Sequence, residues 1–151
     1  MTERDVNMYS PLTLAFLGDS VYDTLVREKL LRSANMPASK LHSAKIKLVC
    51  AEFQSKAYDT ISEALAEKEM AVLKRGRNAT GNNVPKHAEA AEYRRATAVE
   101  CLFGYLYLLG NTERIAELFD IAMQDVDINE IIRKKKKKKG VLKNVRSFKM
   151  E

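Results

Sequence analysis

Two carboxylates stand where a helix would ordinarily be apolar. Asp19 follows Leu17-Gly18 in the run Leu14-Ala15-Phe16-Leu17-Gly18-Asp19-Ser20-Val21. On a helix its neighbours at i−4, i−3, i+3 and i+4 are Ala15, Phe16, Tyr22 and Asp23, apolar or aromatic groups and one further acid. Glu100 lies in Ala96-Thr97-Ala98-Val99-Glu100-Cys101-Leu102-Phe103-Gly104, with no other charge between Arg95 and Glu113. A carboxylate buried without a partner is strongly disfavoured, so each needs a cation or another polar group. A lone acid in such a place is better read as a structural ion pair, with Arg94 or Lys45 as partner. A pair on two apolar helices, each with a glycine close by (Gly18 and Gly104), points instead to a shared divalent cation held through oxygen. Gly18 is also costly in a helix interior, by roughly 1 kcal/mol, which implies close approach by another helix or a ligand.

The elements that must position these acids read as nearly all helical. Three prolines and six glycines punctuate 151 residues, and no alternating β-type runs occur. Ser10-Pro11 starts a helix, with Ser as cap and Pro at the first helical position. It runs to about Arg32 and carries Leu14, Leu17, Val21, Leu25 and Leu31 as its apolar stripe. A second helix is predicted from Pro37-Ala38-Ser39 to about Tyr58, then shorter pieces near Thr60 to Ala66 and Lys68 to Arg75. Gly76 to Pro85 reads as a loop, dense in Gly and Asn. An apolar helix spans about Ala88 to Leu109 and stops at Gly110-Asn111; a last helix runs from a Thr112 cap to about Asp125. Residues 1–132 make one domain, and 133–151 a polybasic, low-complexity tail.

Charge is unevenly placed. From Arg133 onward ten Lys/Arg face one acid, while the other 132 residues carry 16 basic and 19 acidic side chains. The body is mildly acidic and the tail supplies the whole net charge of +6. Such a tail attracts a phosphate-rich partner, or else is a solvated segment that aids solubility. No apolar run approaches the roughly 20 residues that span a bilayer, and the N-terminus fits no signal peptide. These features predict a cytoplasmic protein with no membrane partner. Cys50 and Cys101, in apolar helical stretches, read as buried free thiols. His42 and His87 are isolated and take no catalytic role.

The two acidic segments also carry a resemblance. Leu14 to Val21 resembles the signature helix of ribonuclease III, Glu-x-x-Glu-Phe-Leu-Gly-Asp, and Thr97-x-x-Glu100-Cys101-Leu102-x-Gly104 resembles that family's second acidic motif, Asp-x-x-Glu-Ala-Leu-x-Gly. Leu12 and Ala15 replace the signature glutamates and Thr97 replaces the second motif's aspartate, so Asp19 and Glu100 remain of the metal-binding set. That thinned set resembles the Mini-ribonuclease III branch, as do Lys74-Arg75-Gly76-Arg77-Asn78-Ala79, Tyr93-Arg94-x-Ala96-Thr97-Ala98, and a chain without room for a C-terminal double-stranded-RNA-binding domain. The resemblance covers about residues 10 to 120. It implies the all-α ribonuclease III catalytic domain as a homodimer with signature helices at the interface, and a metal-dependent endoribonuclease on double-stranded RNA. It further implies maturation of the 23S ribosomal RNA precursor, with Mg²⁺ (Mn²⁺ substituting) held by Asp19 and Glu100. The alternative is a non-catalytic RNA-binding or ribosome-associated protein on the same fold.

Within that frame the cluster from Lys74 to Arg95 offers the grip on RNA: Lys74, Arg75, Arg77, Asn78, Lys86 and Arg94. Arg presents forked donors that match phosphate, and Gly76 permits close backbone approach; a solvated loop is the alternative. Asp23 either orients a metal-bound water or pairs with Arg27 at i+4. Thr97 either hydrogen-bonds such a water or bonds back to its own helix. The Arg133–Lys139 run serves as an electrostatic arm for RNA.

Overall fold

The computed structural model describes residues 1–79 and 89–133. Among them are eight helices and no strand: α1 (Glu3–Asn7), α2 (Pro11–Ser33), α3 (Ala38–Val49), α4 (Ala51–Ser62), α5 (Glu67–Asn78), α6 (Ala90–Leu108), α7 (Thr112–Met123) and α8 (Ile128–Arg133). The expected boundary at 132 therefore falls inside α8, and the Lys run lies outside the described residues.

α2 starts as its sequence predicts: Ser10 Oγ accepts from the Thr13 N–H, and Pro11 fills the first helical position where no amide partner is lost. Its buried face differs from the predicted stripe. Leu14, Ala15, Gly18, Tyr22, Val26 and Leu30 are buried, whereas Leu17, Val21 and Leu25 are half-buried and Leu31 is exposed. Apolar residues occupy more than one side of this helix, so spacing alone does not tell the core face from an unpartnered one. Tyr22 belongs to the core, edge-on to Phe103 at 5.6 Å and to Phe119 at 5.8 Å.

α6 is the axis of the molecule, packed against α2, α4 and α5. Its stretch from Ala96 to Leu106 is buried except at Glu100, which is half-buried. The predicted second helix is broken at Cys50, whose backbone is extended and divides α3 from α4. No Gly or Pro marks the break. It is satisfied from outside: the Tyr22 hydroxyl donates to the Leu48 carbonyl at 3.1 Å, one of the orphan acceptors of the last turn of α3. Cys50 at that break is exposed, contrary to expectation, while Cys101 is buried. α7 is capped by Asn111, whose side chain accepts from the Arg114 N–H, so Thr112 is already helical.

Candidate active site

Asp19 and Glu100 meet because two glycines let their helices touch. A Cβ on Gly18 would overlap the Glu100 carbonyl and one on Gly104 the Leu14 carbonyl, so α2 and α6 cross backbone on backbone at both points. The close approach expected at Gly18 is thus by a helix. Asp19 directly follows Gly18, and Glu100 lies one turn before Gly104, so the crossing sets the two carboxyls within hydrogen-bonding reach of each other. Their environments differ. Asp19 is exposed rather than hemmed in, while Glu100 is half-buried. Burial, then the charge of Asp19, pushes the Glu100 carboxyl up to about 8, against a smaller opposing pull from the Gln54 amide.

Lys45, one of the structural partners weighed for these acids, is engaged elsewhere. Lys45 pairs with Asp23 at 3.1 Å, and Arg27 Nε donates to Asp23 at 2.6 Å. Burial raises the Asp23 carboxyl, but its hydrogen bonds to Arg27 and Lys45 outweigh this and hold it below the usual carboxylate range. Asp23 is therefore a bridge between α2 and α3. Thr97 Oγ1 donates back to the Tyr93 carbonyl at 3.0 Å, the second of its two readings.

Can the remaining pair hold a metal? Among the described residues no group of three or more His, Cys, Asp or Glu is placed to do so. Two facing carboxylates do fit a hard divalent ion that keeps several waters and takes further oxygens from a substrate phosphate. Burial first, and then the facing charge of Asp19, raises the Glu100 carboxyl, and a bound divalent ion would offset both.

The basic cluster is only partly a loop. Lys74, Arg75, Arg77 and Asn78 occupy the end of α5, which runs on past Gly76 because that glycine packs against α6. A Cβ there would lie 2.7 Å from Cys101 Cβ and 2.9 Å from Ala98 Cα, so the approach Gly76 permits is to α6. Arg75 donates to Asn7 Oδ1 at 2.9 Å, and Arg77 to the Tyr58 hydroxyl at 3.1 Å and Asn78 Oδ1 at 3.4 Å. Lys74, Arg75, Asn78 and Arg94 are exposed, and Arg94 sits one helical turn before Ala98. Lys86 lies outside the described residues.

Sequence reasoning missed Gln54. This side chain is 1% exposed on the inward face of α4, in series with Ala57, Tyr58 and Ile61, and it lies against Glu100. The available signal was a polar residue at a core position of an amphipathic helix.

Residues 12–111, which contain both acidic helices, match the ribonuclease III domain family. The chain belongs to the ribonuclease III family. Its relatives place it in the Mini-ribonuclease III branch. A Mini-ribonuclease 3 from Brevibacillus brevis is 44% identical over 124 residues, 82% of this chain and 92% of the relative. One from a Thermoanaerobacter species is 39% identical over 127 residues, 84% and 89% of the two chains. The crystal structure of a Fusobacterium nucleatum protein superimposes with a TM-score of 0.72 at 32% identity, covering 80% of this chain and 96% of that one. The ribonuclease III domain and the Mini-ribonuclease 3 relatives make this chain an endoribonuclease.

Proposed function

We propose that this endoribonuclease cuts double-stranded RNA with Mg²⁺ held by Asp19 and Glu100, Mn²⁺ substituting. The juxtaposed carboxyls carry the reading: the α2–α6 crossing sets two acids face to face. A bound divalent ion there supplies Lewis acidity at a phosphate oxygen and a more acidic water. The chain's own part is to hold and orient. Asp19, exposed, faces the substrate side; Glu100, half-buried, is fixed by its helix. Lys74, Arg75, Arg77, Asn78, Lys86 and Arg94 grip phosphates along the duplex, whose A-form is read by shape and 2′-hydroxyls.

The working form we propose is a homodimer, so that two centres cut opposite strands. Phe16 is 83% exposed on α2, with Leu12 and Tyr107 also exposed. Beside them runs an apolar groove of about 350 Å³ lined by Leu17, Val21, Leu25, Tyr107 and Ile115. A second copy presenting the same face would cover both the exposed ring and the groove. Family likeness further supports a cytoplasmic role and the 23S ribosomal RNA precursor as substrate. The Arg133–Lys139 arm adds attraction for RNA; ending the chain at Ile132 should weaken binding and flatten its salt dependence, and unchanged binding at low salt contradicts the arm.

The test is to incubate the full chain with a long RNA duplex, and with either strand alone, in Mg²⁺ or in chelator. Discrete fragments from the duplex in Mg²⁺ alone support the reading. Equal cleavage in chelator, or preference for single strands, overturns it.

A further inference from the structure

Gln54 has no explanation in the packing of the fold. It is 1% exposed, and its Nε2 is the one buried side-chain nitrogen or oxygen among the described residues without a hydrogen-bond partner. An orphaned buried amide costs roughly 1–3 kcal/mol, and a methionine or leucine would fill similar space without that cost. Its polar neighbours on α4 are satisfied: Ser55 accepts from Arg95 at 3.5 Å, and Tyr58 accepts from Arg77 at 3.1 Å. The one polar group of the acidic pair against which the Gln54 amide lies is Glu100, close enough to favour its ionised form. α4 therefore sets one amide behind the half-buried acid and leaves its donor unspent.

We propose that Gln54 is a positioning residue of the nuclease site: its buried amide, unpartnered here, is set to donate to the Glu100 carboxylate once a divalent cation is bound, and so fixes the orientation in which that carboxylate, with Asp19, meets the ion. This rests on the reading that Asp19 and Glu100 hold the cation. A carboxylate that ligates a metal has further rotamers open to it, and the hydrogen bond selects the one facing the ion. Loss of such an outer hydrogen bond typically weakens metal affinity or activity by about 10- to 100-fold. Gln54 touches neither the substrate nor the reacting phosphate; it acts through Glu100.

Stability and metal binding should move in opposite directions, which a merely structural glutamine does not do. In the full chain, Gln54→Met and Gln54→Leu are compared with wild type by Mg²⁺ titration calorimetry without RNA, and by thermal unfolding in chelator. Either variant that keeps the wild-type helical spectrum serves. The expected result is Mg²⁺ affinity lowered about tenfold or more, with a melting temperature in chelator equal to or above wild type because the orphaned amide is gone. In cleavage, the half-saturating Mg²⁺ concentration rises by a similar factor, while the KM for RNA stays put. Unchanged Mg²⁺ affinity with a lower melting temperature overturns the proposal and makes Gln54 a packing residue. Asp19→Asn and Glu100→Gln run alongside. If they too bind Mg²⁺ like wild type, the cation reading falls; if they lose it while Gln54→Met keeps it, the role of Gln54 alone falls.

Discussion

Glu69 on α5 and Glu100 on α6 are both carboxylates that the chain folds inward, but they meet groups of opposite sign. Arg114 takes both oxygens of Glu69, Nε to Oε2 and Nη2 to Oε1, each at 2.9 Å, and its Nη2 also reaches the Ala64 carbonyl at 2.7 Å. The Ala66 N–H adds a further donor to Glu69. The Arg114 bonds, against the opposing effect of burial, hold the Glu69 carboxyl below its ordinary range. Glu100 meets a second carboxyl and an amide, and rises to about 8. The first acid is completed within the fold; the second is where the proposed cation would bind. Burial of an acid does not by itself mark a site; what the acid meets there matters more.

That contrast can be broken at either end. Replacing an acid of the open pair, by Asp19→Asn or Glu100→Gln, should remove several kcal/mol of transition-state stabilisation, roughly a thousandfold in cleavage, with little loss of fold. Duplex cleavage and a thermal melt on the same samples check both halves. Arg114→Ala should do the reverse. Stranding Glu69 without its cation costs about 3–5 kcal/mol of stability, read by urea unfolding, while cleavage per folded molecule stays near wild type. A stability loss below about 1 kcal/mol would mean the pair is no more than a surface bridge.

Gly18→Ala tests the crossing that brings the open pair together. The new methyl meets the Glu100 carbonyl, so α2 and α6 must part, at about 3 kcal/mol or more. Cleavage should fall with it, since Asp19 moves away from Glu100. Gly76→Ala is the milder comparison, because its contacts are longer, 2.7 Å to Cys101 Cβ and 2.9 Å to Ala98 Cα rather than overlap with a carbonyl, and stability should suffer more than cleavage. Equal cleavage by Gly18→Ala and wild type would contradict the positioning role of the crossing.

A further effect is in pH. In chelator the folded Glu100 carboxyl ionises near 8, against about 4.3 in an unfolded chain. Between those values the folded state holds the extra proton, so this group makes stability fall as pH rises through the window. Glu69 works the other way: its lowered carboxyl stabilises above about 4.3, and that contribution is lost as pH falls through its folded value. Urea unfolding in chelator from mildly acidic to mildly alkaline pH should show the decline in wild type and not in Glu100→Gln. Mg²⁺ should offset it in wild type alone. Identical curves for the two proteins would contradict the assignment.

The open pair was legible in the sequence because charge is conspicuous in an apolar helix and because Gly18 and Gly104 are unusual there. Its completion was not. Gln54 in Phe53-Gln54-Ser55 looks like any solvated glutamine until α4 is placed, and α4 itself was hidden by a break at Cys50 that Tyr22 satisfies from another helix. The core face of α2 was misplaced for a related reason: Phe16, Leu17 and Val21 are as apolar as Leu14 and Tyr22, and only packing separates them. Asp23 and Thr97 each had a local alternative to serving the metal, and both make that local contact, Asp23 with Arg27 and Lys45 and Thr97 with the Tyr93 carbonyl.

The most direct test of the central claim is single-turnover cleavage of an RNA duplex by Asp19→Asn at saturating Mg²⁺, with duplex binding measured on the same preparation. Binding should lie within a few-fold of wild type and cleavage should be lower by about a thousandfold. Wild-type cleavage by Asp19→Asn would contradict it.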